Sequence, residues 1–253
     1  MRKPLFRYDH LRFRYQPFPI GLSRPLMDPA TYRSLIDAWP PLDRFATLSK
    51  VGEKYSLSER FGAAEYRDLV QRHPVWRELH AWIKSHDFVR DVLGALADHH
   101  IDLGFDLDAG PSRLLLRRLV DAWNGGSRTD SLRLRSRFEL SMLPAKGGHV
   151  IPHTDGPQKI VTLVVSILEE GEWDPAWGGG TDVNAPKDVR LTFNRRNEQL
   201  AFDQVDVLDT YPFEPNQAVV FVKTFNSLHS VRPMTGPVER MRRTLTINIE
   251  TPT

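Results

Sequence analysis

VIPHTDGPQKIVTLVVSIL, residues 150–168, carries two messages in one stretch. Its second half, KIVTLVVSIL, is almost unbrokenly apolar and rich in β-branched side chains. A strand covered on both faces reads this way, whereas a half-buried strand alternates polar and apolar residues. Its first half places His153 and Asp155 on either side of a single threonine. Successive side chains leave opposite faces of extended backbone, so these two point the same way. A strand buried on both sides needs a layer above it and a layer below it.

The rest of the chain supplies candidates for both. Beyond residue 110, short β-compatible runs are separated by Gly, Pro, Asn and Asp. They cover 113–120, 132–143, 158–168, 181–184, 199–203, 217–223 and 242–249, the pattern of a sandwich or barrel. Before residue 110 the apolar residues recur at helical spacing. Asp28 before Pro29 predicts an N-cap with proline at the first helical position, leading into ATYRSLIDAW, which Pro40 and Pro41 stop. Further helices are expected over Ala63–Gln71, from Pro74 with Val75, Leu79, Trp82 and Ile83 on one face, and over Asp87–His99. The expected class is α+β: a jelly-roll (double-stranded β-helix) core over 111–253, with a helical support region over 1–110 packed against it. No flexible linker divides them, so one integrated unit is expected.

Composition narrows the chemistry. With 40% hydrophobic and 26% charged residues the 253-residue chain is ordinary globular protein, and it contains no cysteine. Disulfide scaffolds, thiolate zinc sites, iron–sulfur clusters and cysteine nucleophiles are thereby excluded. No run is long enough for a signal core or a membrane span, so a soluble, cytoplasmic protein is expected. The net charge of +2 argues against a dedicated nucleic-acid binder. The arginines are nevertheless uneven: Arg113, Arg117, Arg118, Arg128, Arg133, Arg135 and Arg137 crowd together. They read first as a solvated sheet face, and more sharply as a rim that attracts an anionic substrate.

His153 and Asp155 offer one nitrogen and one carboxylate oxygen to a single ion, and H-x-D alone is a weak signal. His229, after the strand-like NQAVVFV, adds a third ligand late in the β half. Two histidines and one carboxylate with positions left open describe the facial triad of non-haem iron(II) oxygenases, although zinc accepts the same residue types. In the final strand, RRTLTINI, Arg242, Thr244, Thr246 and Asn248 share one face. An arginine turned inward is costly unless an anion meets it. A dicarboxylate held by Arg242, with a hydrogen bond from Thr246, would satisfy it. A set of surface charges at Arg240, Arg242 and Arg243 is the plain alternative.

From Phe138 to Glu250 the chain resembles the prolyl-4-hydroxylase-like branch of the iron(II)/2-oxoglutarate dioxygenase superfamily. The resemblance rests on FELSMLPAKGGHVIPHTD, KIVTLVVSIL, EWDPAWGGGTDV, NQAVVFVKTFNSLHSV and RRTLTINIE, in that order. It implies iron(II) on His153, Asp155 and His229, and 2-oxoglutarate on Arg242, with dioxygen as the other substrate and ascorbate as an accessory reductant. Thr246, Ser166 and Lys159 are the further cosubstrate-binding candidates, Lys159 equally a substrate contact. The implied reaction hydroxylates an unactivated C–H bond of a small-molecule or peptidyl substrate and releases succinate and carbon dioxide. Asp155, where a halogenating relative would carry a small residue, favours oxygen transfer. The interval from His229 to Arg242 is longer than the family's, which keeps Arg240 as a second candidate for the anion. The family's frequent tyrosines are absent too: Met142 and Leu143 precede the motif, and Ser166 is the polar residue expected in the following strand. The competing reading is a non-catalytic cupin- or lectin-like jelly roll that binds metal or carbohydrate. A nucleic-acid dealkylase is a third, weakened by the near-zero charge.

Other residues have plainer expectations. His149 belongs to the Gly147–Gly148 turn, and His99 and His100 to a helix end. Gly178, Gly179 and Gly180 form a tight turn, since no lysine and helix follow as in a phosphate loop. Asn226 either orients His229 or shapes a turn. Trp173 and Trp177 pack in a core or lid, and Arg137 and Glu139 line a pocket or pair with each other. Substrate identity and oligomeric state are not encoded in any motif.

Overall fold

The computed structural model describes residues 4–48, 53–106, 129–130 and 134–251. The expected strand 113–120 lies outside them, as do all the clustered arginines except Arg135 and Arg137. Strands β1 (Arg12–Arg14), β2 (Ile20–Ser23), β3 (Ala46–Leu48) and β4 (Lys54–Ser58) interleave with helices α1 (Pro29–Asp37), α2 (Ala63–Arg72), α3 (Pro74–Ile83) and α4 (His86–Asp98). Two-residue strands β5 (Phe105–Asp106) and β6 (Thr129–Asp130) pair in parallel. The β half follows as β7 (Arg135–Pro144), β8 (Val150–His153), β9 (Lys159–Ser166), β10 (Thr181–Pro186), β11 (Val205–Tyr211), β12 (Ala218–Val222), β13 (His229–Val231) and β14 (Met241–Glu250).

An eight-stranded antiparallel sheet runs β1-β2-β12-β9-β14-β7-β4-β3, and a four-stranded antiparallel sheet runs β11-β10-β13-β8. Side chains from both sheets meet, as where Ile20, Val219 and Phe221 pack on Val183. The architecture is thus mixed α+β, a helical N-terminal region against a jelly-roll-like β core. On its other face the large sheet buries Leu140, Leu163, Val165, Leu245 and Ile247 against Leu35, Trp76, Leu79, Phe88 and Val92 of the helices. Fully burying a side chain of this size contributes about 1.5–3 kcal/mol. The apolar run of β9 is explained by its central place, with helices on one side and the small sheet on the other.

The helix signals act as expected. Asp28 Oδ1 accepts from the N–H groups of Ala30 and Thr31, ahead of Pro29. Within α1, the Tyr32 hydroxyl donates to the backbone oxygen of Leu168, 2.8 Å away, tying the helix to the end of β9. No helix among the described residues is long and apolar enough to cross a membrane.

Two differences from the sequence reading stand out. The strand expected over 199–203 is replaced by a single 3-10 turn, Phe202–Gln204, and the strand begins at Val205. There Gln204 Oε1 accepts from the Ala201 N–H, while the Leu200 N–H bonds to Pro152, so local side-chain bonding competes with the ladder. The other difference is at the N-terminus. Its helices are interrupted by β1 to β4, which extend the large sheet at both edges.

Candidate metal centre

His153 ends β8 and His229 opens β13, and the two are register partners across that strand pair. Their rings lie 4.4 Å apart. Asp155 follows in the turn after β8, and one donor atom from each of the three residues lies within 4.8 Å of the others. Asp155 and His229 are buried. The structure therefore brings together the three residues that the sequence nominates, and among the described residues no other group of His, Cys, Asp or Glu is so arranged.

The protonation states suit a divalent cation. His153 Nδ1 is 2.9 Å from the Ile151 carbonyl, and His229 Nδ1 is 3.0 Å from that of Ser227. A carbonyl only accepts, so each Nδ1 carries the proton and each Nε2 keeps a lone pair. Burial, reinforced by the neighbouring His229, pushes the His153 pKa down to about 3. Burial likewise lowers that of His229. For Asp155, burial favours the neutral acid, but the Lys159 ammonium and the two histidines outweigh it and hold the carboxyl well below its usual range. Two neutral imidazoles and one carboxylate at pH 7 are the form that metals bind. Iron(II) fits this hard-to-intermediate donor set, and so does zinc.

Asp155 is positioned through both oxygens. Thr162 donates to Oδ2 at 2.6 Å, and Lys159 Nζ lies 2.5 Å from Oδ1. Thr162 also reaches Asn248 Oδ1 at 3.1 Å, linking β9 to β14. The sequence reading passed over Thr162. Its signal was present: an isolated polar residue in an apolar strand, on the same face as Val164 and Ser166.

A cavity of about 140 Å³ opens from the three residues, walled by Leu143, Val150, Val164, Phe221 and Val231, with Lys159, Thr244, Thr246 and Arg242 among its polar lining. Ser166, although buried, is not in that lining. Arg242 is 5% exposed, and among the described residues no carboxylate lies within ion-pair distance of it. Its Nε donates to the Gly179 carbonyl at 2.6 Å, and the guanidinium lies 4.8 Å from the centre of the Phe213 ring. Burial lowers its pKa to about 10, so it stays charged at neutral pH. Arg240, by contrast, is half exposed and 4.0 Å from Glu172, and Arg243 pairs with the same glutamate on the other face of β14.

The glycine turn has a role that its sequence did not reveal. Gly179 has φ +89°, and this left-handed backbone turns its carbonyl onto Arg242. Lys54 was also missed; it lines the cavity and pairs with Glu139 at 2.7 Å. Ser141 donates to Glu139 as well, while Arg137 pairs with Glu250 instead. Asn226 donates to the Pro17 carbonyl and accepts from Thr224, so it shapes a turn, with His229 held by Ser227. Trp173 packs with Trp177 and Phe213 in a small core beside Arg242. His149 bonds to the Gly147 carbonyl, away from the three ligands.

No family model matches the sequence. No curated protein matches it either. Solved structures resemble it over 92% of its length at low identity. A Pseudomonas putida prolyl-4-hydroxylase is 16% identical, with 92% of that chain covered and a TM-score of 0.45. A structure of prolyl 4-hydroxylases from Phytophthora capsici gives 17%, 58% and 0.49, so this chain spans little more than half of that one. HygX from Streptomyces hygroscopicus, with nickel and 2-oxoglutarate bound, gives 12%, 82% and 0.44. The chemistry of this chain rests on its own side chains.

Proposed function

We propose that the protein is an iron(II)- and 2-oxoglutarate-dependent dioxygenase that hydroxylates an unactivated C–H bond of an organic substrate. The observation that carries this reading is Arg242, a buried guanidinium with no carboxylate within ion-pair distance among the described residues and only Asp182 acting on it from further off, lining the same cavity as the His153–Asp155–His229 cluster. A metal site alone does not require it. A ligand that bridges a metal and a buried cation does, and a dicarboxylate with a metal-binding keto-acid end is such a ligand.

His153, Asp155 and His229 would hold iron(II). When bound, the metal with 2-oxoglutarate and dioxygen supplies the oxidation: one oxygen atom enters the C–H bond and the other enters succinate as carbon dioxide leaves. The chain's own tasks are more modest. Arg242, oriented by Gly179 and backed by Phe213, would hold the distal carboxylate, with the Thr246 hydroxyl beside it. Thr162 keeps Asp155 fixed through its Oδ2. Leu143, Val150, Val164, Phe221 and Val231 exclude water, which strengthens each charge contact in the cavity.

Calorimetry with manganese(II), a redox-quiet stand-in for iron, tests the reading. 2-Oxoglutarate should bind the metal-loaded protein and fail to bind the metal-free one, and glutarate, which lacks the keto group, should bind at least about ten-fold more weakly. Metal binding with no 2-oxoglutarate binding would replace this reading with that of a non-catalytic jelly roll.

A further inference from the structure

Apart from Arg242, the charges around the metal centre balance in pairs except on one side. Lys54 is matched by Glu139 and Arg137 by Glu250, at 2.7 and 2.8 Å. Lys159 is matched by Asp155 alone. Beside it stands Lys223, whose backbone N–H bonds to the carbonyl of Ile160, the residue after Lys159. Its ammonium touches the Asn194 carbonyl at 3.4 Å, and among the described residues no carboxylate is within ion-pair distance of it. Exposed Arg195 and Arg196 follow Asn194 in the chain.

Loading the site sharpens the imbalance, on the reading proposed above. A divalent metal, Asp155, doubly ionised 2-oxoglutarate and Arg242 together carry no net charge. Asp155 is then committed to the metal, which competes with Lys159 for the same carboxylate. Two half-buried ammonium groups are left beside the cavity, and each is costly there without an anion. We infer that Lys159 and Lys223 together bind an anionic group, carboxylate or phosphate, on the organic substrate, Lys159 being released to it when Asp155 takes the metal.

The body of that substrate has a surface to rest on. Phe193 adjoins Asn194 in the chain, and Phe225 lies two residues beyond Lys223. Their rings stack at 5.0 Å while remaining 69% and 47% exposed. Asn194 binds the two segments together: its N–H donates to the Phe225 carbonyl, and its own carbonyl accepts from Thr154, between the first two ligands. An exposed aromatic pair beside surplus positive charge suits an apolar, ring-bearing anion.

The test uses manganese(II)-loaded protein saturated with 2-oxoglutarate, titrated in a calorimeter with phenylacetate, phenyl phosphate and the neutral phenylacetamide. At least one of the two anions should bind about ten-fold or more tightly than the amide, the scale of a charge-assisted contact. Whichever binds better identifies the anion class. The preference should vanish in the K159Q/K223Q double variant, whose folding is confirmed by its continued binding of manganese(II). K159Q alone should bind manganese(II) more tightly than wild type, since the competitor for Asp155 is gone. Equal binding of acid and amide, binding of none of the three, or a preference that survives in the double variant would overturn the inference. Failure of 2-oxoglutarate to bind in the preceding saturation step would overturn the oxygenase reading itself.

Discussion

His153 and His229 face each other across β8 and β13, rings 4.4 Å apart, each with Nδ1 on the carbonyl two residues behind it. One structural device thus sets both tautomers, and both Nε2 atoms are free to bind a metal. Replacing either histidine by alanine leaves two donors. Manganese(II) affinity should fall by more than the roughly 10–100-fold typical of losing an outer partner, as measured by calorimetry, with the fold retained by circular dichroism.

Thr162 is such an outer partner. Its hydroxyl holds Asp155 Oδ2, and valine matches its shape without the donor. T162V should weaken metal binding about ten-fold and lower Tm in the metal-free protein, because the buried Asp155 Oδ2 loses its donor.

Arg242 is the test of the cosubstrate site. R242M should weaken 2-oxoglutarate binding by about 10–100-fold, the range of a charged hydrogen-bonded contact, while metal affinity without 2-oxoglutarate stays the same. R242K should recover only part of the loss, because an ammonium cannot reproduce the guanidinium fork.

Gly179 gives an indirect route to the same contact. At φ +89° a side chain is strained, and a Cβ there would sit 3.1 Å from both Met234 and Trp173. G179A should lower Tm and also weaken 2-oxoglutarate binding, because the carbonyl that holds Arg242 Nε must shift. A lower Tm with unchanged affinity would show that the glycine serves packing alone.

Asp91, on α4, predicts a pH dependence far from the metal. Burial raises its pKa from 3.8 to about 6, and its Oδ2 has no hydrogen-bond partner. The folded protein therefore holds a proton that the unfolded chain releases, so stability falls as pH rises from about 4 to 6 and stays lowered above that. A shift of this size corresponds to about 3 kcal/mol, discounted to about 1–2 for a partly exposed group. D91N should raise Tm by about 3–6 °C at pH 7.5, and the gain should shrink as the pH approaches 4.

The legible parts of this protein were those written in local periodicity. His153 and Asp155 meet at one site as their spacing of two suggested, although β8 ends at His153, and the strand period of two put Arg242, Thr244 and Thr246 into one cavity. Asp28–Pro29 announced α1 through capping chemistry. What escaped reading depends on contacts between distant segments. Strands β1 to β4 have three to five residues each and gain their stability by pairing with the edges of a sheet formed mainly by the C-terminal half. Lys54 reaches the cavity only because β4 lies beside β7. The run at 199–203 has strand-like residues, but the Gln204 side chain closes a turn there. Arg240 and Arg242, two residues apart, are separated only by where the strand begins: β14 starts at Met241, which leaves Arg240 in the exposed connection before it and Arg242 inside on the cavity face.

The most direct test is an anaerobic titration of metal-free protein with iron(II) and 2-oxoglutarate, followed by visible absorption. A metal-to-ligand charge-transfer band should appear only when both are present, and should be weakened in H153A and R242A. Iron(II) binding without that band at saturating 2-oxoglutarate would contradict the account and leave a jelly roll that holds a metal for another purpose.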